Sequence, residues 1–132
     1  MTDVWDFYAA HTDGRTALTP VERGVLAICD LRQEVNSGGF EGYFCAWGGD
    51  SAPAAAIALT DALGSEWSAL LVEAMALFGD EYPRDADARA DLFDHGGLSG
   101  QLEALDQRFY DLEESGDADA ALSEHLNTAS AD

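Results

Sequence analysis

The chain has 132 residues and a formal net charge of −20, with 26 acidic residues against six arginines and no lysine. This length fits one domain, and a hydrophobic content of 47% argues against a disordered acidic tail. The scarcity of cations excludes phosphate-neutralising contact with nucleic acid and disfavours binding to an anionic membrane surface. We therefore expect a folded protein with an extremely acidic exterior.

The cellular location is predicted from the absence of targeting and membrane-spanning patterns in the sequence. No apolar run approaches the ~20 residues that span a bilayer, and the N-terminus has no signal-peptide pattern, so we predict a cytoplasmic protein.

Cys29 and Cys45 lack a Cys-x-x-Cys spacing and a nearby histidine. Both are predicted to be small buried hydrophobes rather than disulfide or metal residues.

A capping box opens the first strongly predicted helix. Thr19 is followed by Pro20 at the first helical position, and Glu22 lies three residues after the cap. Apolar residues then recur at steps of three and four as far as Val35, which predicts one buried face. Asp30 and its polar neighbours are expected to lie largely off that face.

Two glycines interrupt this helix within the stretch VNSGGFEGYF. Gly38 and Gly39 predict a helix end, because glycine adopts the left-handed cap without a Cβ penalty. A new helix is expected to restart at once and to fold an aromatic stripe back onto the first one, forming a helix–corner–helix hinge. The stripe consists of Phe40, Tyr43, Phe44 and Trp47.

The next elements are a second corner at 48–51 and an alanine-rich helix that begins near Pro53 and extends to Leu63, closed by Gly64. Ser65 is predicted to cap a strongly periodic helix, which we expect to be the most central one. Its apolar face consists of Trp67, Leu70, Leu71, Ala74, Met75 and Phe78.

The C-terminal part predicts three more helices. A polar helix from about Asp85 to Asp94 is expected to bury little beyond Leu92 and Phe93. Asp117 can cap a last helix, and residues 127–132 are expected to fray. Between them an amphipathic helix is marked by Leu98, Leu102, Leu105, Phe109 and Leu112. No segment alternates with period two, so the sequence predicts an all-α, single compact domain of about seven or eight helices over residues 1–132.

The negative charge is concentrated toward the C-terminus. Residues 80–132 hold fifteen acids and three arginines, a net charge of −12. Glu103, Asp111 and Glu114 project opposite the leucine seam, with Asp106 and Glu113 at its margins. A helix turn rises 5.4 Å, and duplex DNA carries about three charges over that length. One helix cannot match that density, whereas two adjacent acidic helices or a dimer can approach it.

Three interpretations of this charge compete. A solvated surface that maintains solubility needs a charge of magnitude only ~2–8, and a larger charge destabilises the compact state. Adaptation to high internal salt fits the absence of lysine and the abundance of aspartate. The third interpretation is a folded polyanion presented to the cationic surface of a DNA-binding protein.

Catalytic patterns are weak in this sequence. His11, His95 and His125 have no partner at a recognisable spacing, and no serine lies in a G-x-S-x-G context. The run from Asp85 to Arg89 departs from a calcium loop at its third ligand. We therefore predict that the protein is not an enzyme and uses no cofactor or metal.

Three segments resemble the bacterial DNA-mimic protein family, an acidic all-helical domain. They are Leu31–Phe44, Ala62–Phe78 and Leu102–Tyr110, and the similarity extends over about residues 21–126. The glycine pair with its flanking residues is the specific part of the resemblance. This structural signature consists of Asn36, Gly38, Gly39, Phe40, Tyr43 and Phe44.

The resemblance implies a homodimer whose negative surface imitates duplex DNA and blocks a basic DNA-binding protein. A transcription regulator, a nucleoid protein and a defence nuclease all remain open as partners, and direct nucleic-acid binding is not expected. The alternatives are a helical antidote or immunity-type binding module and a salt-adapted protein whose charge has no such function. The carboxylates predicted to bind the partner are Asp85, Asp87, Asp91, Glu103, Asp111, Glu114, Asp117 and Asp119.

Overall fold

The computed structural model describes residues 3–11, 18–79, 81–96 and 99–130, and within these ranges its secondary-structure elements are all helices, without strands. This confirms the predicted all-α class. A short 3₁₀ helix, Trp47–Ser51, separates the second and third of seven α-helices. The α-helices are α1 (Val4–Ala10), α2 (Pro20–Cys45), α3 (Ala52–Ala62), α4 (Ser65–Ala76), α5 (Ala86–Gly96), α6 (Ser99–Ser115) and α7 (Ala118–Ser130).

The helix α2 is the centre of the fold. It begins with the predicted capping box: Thr19 Oγ1 accepts the Glu22 N–H, and Glu22 Oε1 accepts the Thr19 N–H. Every residue from Gly24 to Arg32 is buried, so this stretch has no solvent face. Our prediction that the helix starting at Ser65 is the most central is therefore wrong, because α2 is the helix that contacts α1, α3, α5, α6 and α7.

The glycine pair divides α2 into two helical segments that meet at a kink. Gly38 (φ −143°, ψ 17°) and Gly39 (φ 71°, ψ −177°) leave the helical conformation, and the helix continues from Phe40. The positive φ of Gly39 confirms that this position favours glycine, but its ψ of −177° differs from that of the left-handed cap that we predicted. The predicted end and immediate restart of the helix at the glycine pair are therefore confirmed, and the folding back of the aromatic stripe onto the first segment stays a prediction.

The aromatic side chains after the kink join the helices into one core. Phe40, Tyr43 and Phe44 are all fully buried. Phe40 meets Phe109 of α6 edge-to-face, with ring centroids 5.7 Å apart, and Phe44 meets Phe78 in the same manner at 5.0 Å. The stripe therefore binds α6 and the segment after α4, whereas the side chain of Trp47 lies outside the described residues.

The α3–α4 hairpin turns at Gly64, the residue that the sequence predicts to close α3. Gly64 occupies the position before α4 with φ 116°, and its N–H donates to Leu59 O at 2.8 Å. Ser65 was predicted to cap α4 but is its first helical residue, and no side chain caps this helix. The hydroxyl of Ser68 instead joins the two helices by donating to Ala56 O at 2.7 Å.

The helix α5 buries an arginine that the sequence did not predict, and of the predicted apolar pair Phe93 packs against the core and Leu92 does not. Arg89 is fully buried, whereas Leu92 is 37% exposed and Phe93 is half-buried. The guanidinium donates to the carbonyls of residues 44, 46 and 83 and to Asp50 Oδ1, the last at 2.7 Å, and stacks on the Tyr82 ring. It thereby satisfies backbone acceptors where α2 ends and the 3₁₀ helix begins.

The last two helices follow the predicted pattern closely. Leu102, Leu105 and Phe109 form the buried seam of α6, and Leu98 lies outside the described residues. The Ala120 N–H donates to Asp117 Oδ1 at 3.0 Å, which confirms the predicted cap of α7. Residues 127–130 were expected to fray, but α7 continues through them to Ser130.

Two further predictions about single residues are wrong. Asp30 was placed off the buried face of α2 but is 2% exposed, because α1 covers it and Tyr8 donates its hydroxyl to Asp30 Oδ1 at 2.6 Å. Cys45 was predicted to be buried together with Cys29, but it is exposed at the C-terminal end of α2.

Candidate protein-binding surface

Within the described residues three arginines form ion pairs, and two of these arginines are withdrawn from the surface. Arg32 is 7% exposed and Arg89 is fully buried. Arg108 is half exposed, and its Nη1 lies 2.7 Å from Glu73 Oε2 across the contact between α6 and α4. Positive charge is therefore even scarcer on the outside of the protein than the composition indicates.

The buried Arg32 holds carboxylates from the C-terminal part of the chain. It donates to Glu113 Oε1 from Nη2 at 2.8 Å and to Asp119 Oδ1 from Nη1 at 2.6 Å. Asn36, a residue of the signature, donates to Glu113 Oε2 at 2.6 Å, and Trp5 Nε1 donates to Asp119 Oδ1 at 2.8 Å. Asp119, which we predicted to bind a partner, is thus engaged within the fold, although half of its side chain is exposed.

Replacing Asp119 by asparagine is expected to lower the free energy of unfolding by about 1 kcal/mol at pH 7, because one charge-assisted pair with Arg32 is lost at a half-exposed site. Burial acts to raise the pKa of Asp119, but the hydrogen bonds from Arg32 and Trp5 lower that pKa overall. Because the pKa in the folded state is lowered, the stabilisation exists above the unfolded value of about 3.9 and disappears as the pH falls through the folded value.

Urea unfolding of wild type and Asp119→Asn at pH 7 and pH 3 tests this. The difference between the two proteins should be larger at pH 7 than at pH 3. Glu124→Gln, which removes an exposed charge from the same helix, is the matched control and should leave stability unchanged. An equal Asp119 effect at both pH values contradicts the assigned ion pair.

The outer face of α6 carries a row of carboxylates. Glu103, Asp111 and Glu114 are exposed, and they lie opposite the buried Leu102 and Phe109. At 1.5 Å per residue the row extends about 16 Å along the helix. The structure therefore brings these three predicted residues onto one face.

Two more carboxylates extend this row at the kink of α2. Asp106 Oδ1 accepts the Phe40 N–H at 2.8 Å and so caps the part of α2 that follows the glycines. Burial raises the pKa of Asp106, the hydrogen bond from Phe40 opposes this, and repulsion from Glu103 and Glu41 raises it further. The row along α6 and the kink therefore comprises Glu41, Glu103, Asp106, Asp111 and Glu114; we call it the acidic row.

The carboxylates of α5 form a second, separate group. Asp85, Asp87 and Asp91 are exposed. Asp87 and Asp91 are one helical turn apart and lie on the side of α5 opposite the buried Arg89. The helix α5 packs against α2 and the 3₁₀ helix, whereas α6 packs against α2 and α4, so the two acidic groups flank α2 from different helices.

The remaining predicted residue, Asp117, is exposed while its carboxylate caps α7. Sequence reasoning missed the parts of the surface that depend on contacts between distant segments. Asp106 and Glu41 are 65 residues apart in the chain, and nothing in their local sequence places them together. The sequence did contain one signal that Asp106 lies near α2. Asp106 is four residues before Tyr110, at the edge of the leucine seam that faces α2.

Two other kinds of site are absent from the part of the chain that the structure describes. There, no three His, Cys, Asp or Glu side chains are grouped so that they can hold a metal ion. No helix in the described ranges is long and apolar enough to cross a membrane. The absence of enzymatic activity stays a prediction.

Comparison with known proteins gives one informative result. The chain has no significant match among curated proteins and none among solved structures. A family model described as DMP19-like protein matches residues 16–128, which is most of the chain. This range contains the glycine pair, the kink of α2 and all five carboxylates of the acidic row. The chain therefore belongs to the DMP19-like protein family, a family of DNA mimics.

Proposed function

We propose that this protein is a DNA mimic that binds and blocks a basic DNA-binding protein in the cytoplasm, without catalytic activity. Membership of a DNA-mimic family supports this proposal. The observation that carries it is the acidic row, because its spacing can be compared directly with that of DNA. The buried arginines support it as well, since they remove cations that would repel a basic partner.

The charge density of the acidic row matches one strand of DNA. One strand carries a phosphate about every 3.4 Å, so a length of about 16 Å holds roughly five charges. The acidic row supplies four carboxylates over this length of α6, and Glu41 of α2, beside Asp106, is the fifth. A basic groove or helix that follows one strand of a duplex therefore meets a similar number of charges here.

A duplex has a second strand, and this chain has two sources for a second row. The exposed carboxylates of α5 are one, and a second copy of the chain is the other. We propose a homodimer, as the resemblance implies, in which two acidic rows are combined. Sedimentation at moderate salt tests this: a species of about 28 kDa, twice the 14.1 kDa monomer, supports it and a monomer contradicts it.

Neutralising the acidic row is expected to weaken partner capture at least tenfold. The variant Glu103→Gln, Asp111→Asn, Glu114→Gln removes three exposed charges and leaves the leucine seam intact. Its matched control is Asp6→Asn, Glu81→Gln, Glu124→Gln, which removes three exposed charges from other elements. Both proteins are immobilised and exposed to lysate of the native host at low salt, and bound proteins are quantified.

The control should capture nearly as much of the basic DNA-binding protein as wild type does. Equal losses in both variants would mean that total charge, rather than the acidic row, drives binding. A single partner whose binding resists salt and survives both variants favours the antidote-type module instead, because hydrophobic anchors depend weakly on ionic strength.

A further inference from the structure

A groove runs between α4 and α6 and reaches the corner between α6 and α7. It is formed by two adjoining depressions that share Glu66, Leu112 and Ser115. One extends toward Arg108, and the other extends toward the start of α7 at Ala118. We call the whole depression the α4–α6 groove.

The floor and the edges of this groove differ in chemistry. The floor toward Arg108 is mainly apolar and includes Leu112 and the exposed Ala69, whereas the α7 end is mixed, with Trp67 beside Ser65 and Asp117. The edges carry exposed carboxylates on both sides, with Glu66 on α4 and Asp111 on α6. An apolar strip therefore lies between two negative edges.

The major groove of DNA has the same arrangement of a negative edge, a central strip and a second negative edge. There, two rows of phosphates border base edges, which offer apolar contacts through thymine methyl groups. DNA-reading helices match that order with cations on their flanks and small apolar or polar side chains at the centre. We propose that the α4–α6 groove receives an amphipathic, basic helix of the DNA-binding partner, with an apolar side chain on the floor and Arg or Lys at the edges.

Charge complementarity selects this occupant. An acidic helix is repelled by both edges, and a second copy of this chain would bring its own net charge of −20 to the same place. The Arg108 end of the groove offers no free cation to attract an anion, because Arg108 is paired with Glu73 at 2.7 Å. The proposal rests on the proposed function and adds to it a contact that is independent of charge.

Two labelled helical peptides of equal charge test this groove. The first carries leucines on one face with arginines on both flanks, and in the second each leucine is replaced by glutamine. Wild type should bind the leucine peptide at least tenfold more tightly at moderate salt, measured by fluorescence anisotropy. Ala69→Phe fills the groove at an exposed position, and should reduce this preference to less than threefold.

Ala76→Phe is the matched control, because Ala76 is also exposed, lies two turns further along α4 and does not line the groove. It should keep the wild-type preference, and circular dichroism should show that both variants retain the helical fold. Equal binding of the two peptides by wild type, or a preference that survives Ala69→Phe, overturns the groove proposal. Displacement of a captured host protein by duplex DNA is measured on the same samples, so failure of the groove is distinguished from failure of mimicry.

Discussion

Replacing Arg89 by alanine is expected to lower the free energy of unfolding by about 3–5 kcal/mol, the largest effect of any single change considered for this chain. The guanidinium is fully buried and serves three backbone carbonyls as well as Asp50. Its removal leaves these acceptors without donors and opens a cavity beneath Tyr82. We expect the midpoint of thermal unfolding to fall by about 10 °C or more.

The matched control for this experiment is Arg108→Ala. It changes the net charge by the same amount but breaks an ion pair whose two side chains are about half exposed. Such pairs contribute about 0–1 kcal/mol, so urea unfolding at fixed ionic strength should give a small change for Arg108 and a large one for Arg89. Similar losses in both variants would mean that the added negative charge, and not the buried network, sets the stability.

Gly39→Ala is expected to destabilise the protein by about 2–4 kcal/mol, for two reasons that act together. The backbone at Gly39 (φ 71°, ψ −177°) lies in a region that residues with a side chain rarely adopt. A Cβ at this position would also lie 2.7 Å from Asp106 Oδ2. The carboxylate must therefore move, and its hydrogen bond from the Phe40 N–H weakens.

Gly38→Ala is the control that separates these two effects from the general effect of replacing a glycine by alanine. Gly38 has a negative φ of −143°, and a Cβ there meets nothing within 4 Å. Its substitution should change the free energy of unfolding by less than about 1 kcal/mol, because removing a glycine also restricts the unfolded chain. If Gly38→Ala proves as damaging as Gly39→Ala, the assigned geometry of the kink is wrong.

The features that sequence predicted well are those specified by neighbouring residues. The capping box of α2 needs only Thr19, Pro20 and Glu22, and the cap of α7 needs only Asp117. The leucine seam of α6 follows from spacing along one helix, so the outward direction of Glu103 and Asp111 followed as well. Local chemistry therefore gave the helical class and one face of the candidate surface.

The features that sequence missed depend on partners far along the chain. The burial of Asp30 needs α1 to cover it, and that of Arg89 needs the carbonyls at the end of α2. Charged residues are usually exposed, so a local pattern assigns them to the surface unless their partner is known. The same reason explains why Asp119 was grouped with the partner-binding carboxylates, although Arg32 and Trp5 hold it in the fold.

The kink of α2 links the fold to the proposed function. Gly39 brings the backbone close to Asp106, and Asp106 brings α6 to a fixed position against α2. The row of carboxylates on α6 is thus oriented by residues of the structural signature that the sequence predicts. Gly39, Phe40, Tyr43 and Phe44 are buried, Asn36 binds Glu113, and Gly38 is exposed, whereas the proposed binding chemistry lies on the exposed carboxylates beside them.

Competition with duplex DNA tests the central claim of mimicry most directly. The protein is immobilised, loaded with lysate of the native host at low salt, and washed with excess duplex DNA of mixed sequence or with buffer alone. If the protein is a DNA mimic, a basic DNA-binding protein is released by DNA, and its affinity for the immobilised chain falls steeply as salt increases. If the captured protein remains bound in the presence of excess duplex DNA, its binding site is not the DNA-binding surface, and the proposal of DNA mimicry is contradicted.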